Sequence, residues 1–241
     1  MSQFQIVTVS THIPREWYYT YFHFLKSCGQ HQPLILDRFY SRYRGLGSKP
    51  KALLRSINDG LITTPYILFC DSWDTFFAAD PQVLFEKYFE FNSPVVISAE
   101  KNCFPSDLKS EYDALNLQSP YRYLNSGMIV GETGAIKQML EAMELDKVPD
   151  DYWDAEHNCM VHINDQFLFQ QIFLKQPVKI ALDYNQSLCQ TLHDVTSDEF
   201  EISHKGIRNK VTNTFPVLFH ANGNSKDSGV KEPLLNYLKI L

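Results

Sequence analysis

A chain of 241 residues, 44% of them hydrophobic, can bury the core of one α/β domain or at most two small ones. Its 22 basic and 28 acidic residues leave a net charge of -6. That balance argues against nucleic acid as the main partner, although the stretch 38–51 is basic and carries no acid. No apolar run approaches the ~20 residues of a membrane span. The five cysteines form no CxxC pair, as expected of free thiols in a reducing compartment.

In chain order, 4–10 reads as a first strand. It lacks a basic segment followed by a long apolar one, so a cytoplasmic location is expected rather than a secretory leader. A helix over 15–29 stops at Gly29, and 33–37 is a second strand. After the basic loop, 49–60 reads as a short amphipathic helix closed by Gly60. A third strand, 66–71, runs into Asp71-Ser72-Trp73-Asp74. Asp80 caps the next helix and Pro81 opens it. Strands over 94–100 and 123–132 precede helices that start at Thr133 and at Asn164–Asp165. Strands over 178–183 and 216–223 and a closing helix from Glu232 complete the pattern. The alternation predicts an α/β fold, a mostly parallel central sheet flanked by helices. Ligands of such sheets bind beyond the C-terminal ends of the strands, where the acids fall.

Asp71 and Asp74 lie three residues apart on a turn leaving an apolar strand. Such a pair can chelate a hard divalent cation that holds a diphosphate. The plainer reading is a solvated turn in which Asp74 caps the next segment. His220 ends another apolar strand, and its imidazole can complete the coordination of Mn²⁺ or rest in the core. Gly223 lets backbone amides approach a phosphate, and Lys226 can neutralise one. Trp73, between the acids, can stack on a nucleobase or pack on the following helix. Asn125 suits sugar hydroxyls or a plain turn. Asp165, with Gln166 at a helix start, can face the sugar, act as a base, or cap the helix. Glu100 ends a strand, and a surface acid is its plain reading.

Seven segments in one order, 7–11, 47–54, 69–74, 98–105, 121–131, 164–169 and 216–226, resemble the glycosyltransferase domain of the procollagen lysyl hydroxylase/glycosyltransferase (PLOD-like) family. The resemblance implies a GT-A fold over 1–241 as a single domain, with a Rossmann-like nucleotide-binding half and an acceptor half. It implies Mn²⁺ or a similar divalent cation on Asp71, Asp74 and His220. The donor it implies is UDP-glucose or UDP-galactose. Trp73 matches the aromatic that stacks on uracil, and Thr8 and Lys49 match residues of the nucleotide site. Gly223 and Lys226 match the diphosphate loop, and Asn125 and Asp165 match the sugar and acceptor side. The acceptor hydroxyl would be hydroxylysine-like, a glycan or a modified base, in a microbial or viral setting. Three departures fall on the acceptor side. Asn164 replaces an acid, Phe104 a Trp, and Met128 a Gly. The bare residues also suit a metal-dependent phosphohydrolase or nucleotidyltransferase, or a non-catalytic sugar-nucleotide-binding module.

Overall fold

The computed structural model describes residues 3–10, 15, 18–36, 45–226 and 229–238. The first part of the chain forms β1 (Phe4–Thr8), α1 (Tyr18–Ser27), β2 (Leu34–Ile35), α2 (Ser48–Asn58), β3 (Tyr66–Cys70), β4 (Thr75–Phe77) and α3 (Pro81–Tyr88). Next come β5 (Val95–Glu100), α4 (Lys109–Ala114), β6 (Tyr123–Glu132) and α5 (Thr133–Glu141). The hairpin β7 (Tyr152–Asp154) and β8 (Cys159–Val161) leads into α6 (Asp165–Lys175) and β9 (Ile180–Asp183). The last elements are β10 (Cys189–Thr191), β11 (Phe200–Ser203), β12 (Gly206–Asn209), β13 (Leu218–His220) and α7 (Lys231–Leu238).

The central sheet has six strands in the order β2-β1-β3-β6-β5-β9. β6 runs antiparallel to both neighbours, and every other pair is parallel. Alternation along the strands explains why both faces are covered. On β3, Ile67 and Phe69 join one core cluster with Leu53 of α2, Met139 of α5 and Phe169 of α6. Leu68 and Cys70 join the other, with Phe24 of α1 and Leu84 and Phe85 of α3. Each such side chain, when fully buried, contributes about 1.5–3 kcal/mol. The Asp80 carboxylate accepts from Gln82 N at 2.8 Å and Pro81 opens α3, as the sequence indicates.

Several elements differ from expectation. The first strand ends at Thr8, and β2 keeps only two residues. The acids do not lead directly to a helix. β4 comes after them and joins a second sheet, β10-β13-β4. The ribbons β7–β8 and β11–β12 were not legible in the sequence; both are short, and β7–β8 is largely exposed, so neither carries a strong apolar alternation. The reversal of β6 positions the site. Its first residues lie at the edge where β3 and β5 end, so Asn125 and Ser126 arrive beside Asp71 and Glu100. Among the described residues no helix is long and apolar enough to cross a membrane.

Candidate active site

One wall is built from two strand ends. The turn after β3 is closed by backbone bonds, Asp71 N to Gly127 O at 3.0 Å and Ala221 N to Asp74 O at 2.7 Å. β13 pairs with β4 so that His220 stands opposite Thr75. The His220 Nε2 therefore lies 3.3 Å from Asp74 Oδ2 and 3.8 Å from Asp71 Oδ2. One ligand atom from each of the three groups falls within 4.8 Å of the others. The ring needs Gly127 beneath it, because a Cβ there would sit 2.2 Å from the imidazole. Burial disfavours the charged His220 ring, but Asp74 and Asp71 outweigh it and its pKa is raised. Burial raises Asp74, yet the imidazole prevails and holds its carboxyl low. Burial pushes Asp71 up, against Lys49 and with the charge of Asp74. Two carboxylates and an imidazole at this spacing fit a Mn²⁺-like cation.

Lys49, in the first turn of α2, links this wall to α6. Its Nζ lies 2.8 Å from Asp71 Oδ1 and 2.9 Å from Asp165 Oδ2. Burial alone would discharge the ammonium, but the carboxylates of Asp165 and Asp71 raise its pKa. Asp165 is therefore not the helix cap. The Asn164 side chain accepts from Phe167 N at 3.3 Å, leaving Asp165 inside the first turn and free to pair with Lys49.

The opposite wall centres on Glu100, which is 2% exposed rather than a surface acid. Its Oε1 accepts from Asn125 Nδ2 at 3.1 Å and Gln166 Nε2 at 2.8 Å. Its Oε2 accepts from Asn222 Nδ2 at 3.0 Å and lies 3.6 Å from His193 Nδ1. The neighbouring Glu100 carboxylate raises the His193 pKa against the effect of burial. The His193 ring packs against Gly223, whose φ of +57° and missing Cβ make room for it. Asn125 lies within β6 and not in a turn.

Asp71, Asp74, His220, Lys49, Asp165, Asn125 and Gly223 line a single cleft of about 380 Å³ with Glu100, Gln166, His193 and Asn222. Phe104, 61% exposed, also lines it. Two expected residues are not in that lining. Thr8 is fully buried, its hydroxyl without a partner among the described residues. Trp73 is half-buried, and its indole donates to Ser10 Oγ at 3.0 Å. The Lys226 side chain and most of the basic loop, 37–44, lie outside the described residues. Sequence reasoning missed His193 altogether and Asn222 as a wall residue. Asn222 could have been found from its place two residues beyond His220; His193 sits in a stretch with no motif.

Residues 39–240 match the family model of the PLOD GT domain. The chain belongs to the PLOD glycosyltransferase-domain family. This PLOD GT domain is 29% identical over 167 residues to rat procollagen-lysine,2-oxoglutarate 5-dioxygenase 1, covering 66% of this chain and 21% of that protein. It thus spans about a fifth of the length of the curated animal relatives it matches. It is 32% identical over 191 residues to uncharacterized protein R699 of Acanthamoeba polyphaga mimivirus, covering 77% of this chain and 35% of that one. Among solved structures it resembles apo mouse xyloside xylosyltransferase 1, with a TM-score of 0.50 and 14% identity over 92% of this chain and 98% of that one. It likewise resembles the galactosyltransferase LgtC in complex with donor and acceptor sugar analogs, with a TM-score of 0.50 and 11% identity. That alignment covers 98% of this chain and 96% of LgtC. Identities this low speak to the fold alone, and the fold is GT-A.

Proposed function

We propose that this PLOD GT domain transfers a hexose, glucose or galactose, from its UDP-sugar to an acceptor hydroxyl. The observation that carries the reading is the convergence of Asp71, Asp74 and His220 within 4.8 Å on one wall of a cleft. These three would hold Mn²⁺ or a similar cation, which neutralises charge on the departing diphosphate when bound. Lys49 contributes a further positive charge beside them, and Gly223 and Lys226 offer backbone amides and an ammonium to phosphate. Thr8 and Trp73 are assigned to the nucleoside, Trp73 by stacking on uracil. Asp165 is the candidate for taking the acceptor proton; once Lys49 turns to the diphosphate, its carboxylate is free to accept one. Asn125, lining the same cleft, is the second catalytic candidate. The acceptor is a hydroxylysine-like group, a glycan or a modified base, and the site of action is the cytoplasm.

The test is calorimetry of UDP with Mn²⁺ and with EDTA, followed by UDP-release assays with UDP-glucose and UDP-galactose. UDP should bind at least tenfold more tightly with the metal, a gain of ~1.4 kcal/mol. Equal affinity in both conditions would sink the metal bridge, and release of UMP and sugar 1-phosphate instead of UDP would point to a phosphohydrolase.

A further inference from the structure

Asn125 connects the two walls, and its neighbours fix which way its amide points. Nδ2 lies 3.1 Å from Glu100 Oε1 and 3.2 Å from Gln166 Oε1, oxygens that accept. Oδ1 in turn accepts from Gly127 N at 3.0 Å. The atom 2.9 Å from His220 Nδ1 is therefore an acceptor, and Nδ1 must carry the hydrogen. A neutral imidazole protonated on Nδ1 keeps its lone pair on Nε2. Nε2 is the atom that faces Asp74 and Asp71. Glu100 stands one bond further back. It is buried, and both of its oxygens are occupied by amide donors, three in all. That saturation leaves it suited to orienting its neighbours rather than to reacting.

We propose that Asn125 is a positioning residue for the metal ligand His220, and that Glu100 acts through Asn125. The wall opposite the acids thereby sets how tightly the metal is held. The proposal rests on the metal reading of Asp71, Asp74 and His220. It differs from a merely structural role in one respect: it biases the His220 ring toward the Nδ1-protonated tautomer, against the Asp74 carboxylate that faces Nε2 in the metal-free protein.

Two measurements test it. The first is ¹⁵N NMR of the His220 ring in the metal-free protein, at a pH where the ring is neutral. The wild type should populate the Nδ1-protonated tautomer in competition with an Nε2–H that donates to Asp74. Asn125→Leu, which removes both polar atoms at similar volume, should shift the proton toward Nε2. Asn125→Asp keeps an acceptor opposite Nδ1 and should retain the wild-type pattern. The second is calorimetry of Mn²⁺ alone. Asn125→Leu should bind it ~10–100-fold more weakly, the usual effect of removing a group that orients a metal ligand. Glu100→Gln should also weaken binding, but should add no further loss in the Asn125→Leu background, because the two would act along one path. An unchanged tautomer ratio in Asn125→Leu would overturn the proposal, as would unchanged Mn²⁺ affinity in that variant. Additive losses in the double variant would remove Glu100 from it. A wild type that binds no Mn²⁺ but whose tautomer ratio shifts in Asn125→Leu would sink the metal reading alone.

Discussion

The two walls of the cleft are made in different ways. The proposed metal wall comes from two contiguous motifs, Asp71–Asp74 and the strand ending at His220, joined directly by the β4–β13 pairing. The amide wall comes from single residues on β5, β6, α6 and two loops, with Glu100 as their common acceptor. The metal wall crowds two carboxylates and an imidazole and leaves their charges to be balanced by Lys49 or a cation. The amide wall is saturated by its own hydrogen bonds. One wall is built to bind and the other to hold shape, so perturbing them should give different signatures.

The largest effect is expected at the residue between the walls. Asp165→Asn should lower transfer by ~10²–10⁴, the usual worth of a positioned general base. UDP affinity should barely move. The fold should hold, because Asn164 and not Asp165 caps α6. A parallel loss of UDP affinity would assign Asp165 to the metal wall instead. Next is Trp73→Ala, which should weaken UDP binding by ~1–3 kcal/mol if the ring stacks on the base. A falling melting temperature at constant UDP affinity would reduce Trp73 to its bond with Ser10. Gly127→Ala should cost about 1–3 kcal/mol of stability through overpacking and should weaken Mn²⁺ binding, since the new Cβ meets the His220 ring. Gly134→Ala, in the first turn of α5 with open space around its Cβ, is the contrasting case and should be neutral or stabilising.

The smallest effect is that of pH. The His220 pKa is raised from 6.5 in the folded, metal-free protein. Its contribution to stability is therefore complete below 6.5 and is lost as pH rises through the raised value. Mn²⁺ requires the neutral ring, so the metal-induced gain in melting temperature should grow with pH over the same interval. A gain independent of pH would remove His220 from the ligand set.

The sequence made the Asp71–Asp74–His220 cluster legible because its residues end contiguous strands. An apolar strand running into two acids is visible as a run of letters, and so is a strand ending in His220. It could not reveal that β6 runs against its neighbours, because alternation along a strand carries no direction. Without that reversal Asn125 reads as a turn residue. Glu100 was visible as a strand-end acid, but its burial depends on Asn222 and Gln166, each far away in the chain. The sequence left open whether Asp165 caps α6 or faces the site, because Asn and Asp cap about equally well. Their order in Asn164–Asp165 decided the matter only once the helix start was seen.

The β4–β13 ladder has a consequence for the order in which the molecule is made. Phe77 pairs with Leu218 and Thr75 with His220, so the acids wait for a strand that comes after every other strand among the described residues. Contacts of such sequence separation form late, after local helices and hairpins. During synthesis from the N-terminus, Asp71 and Asp74 emerge long before their imidazole partner. The nascent chain thus lacks the assembled Asp71–Asp74–His220 cluster until β13 docks, and a cation held by that cluster would stabilise only the finished domain.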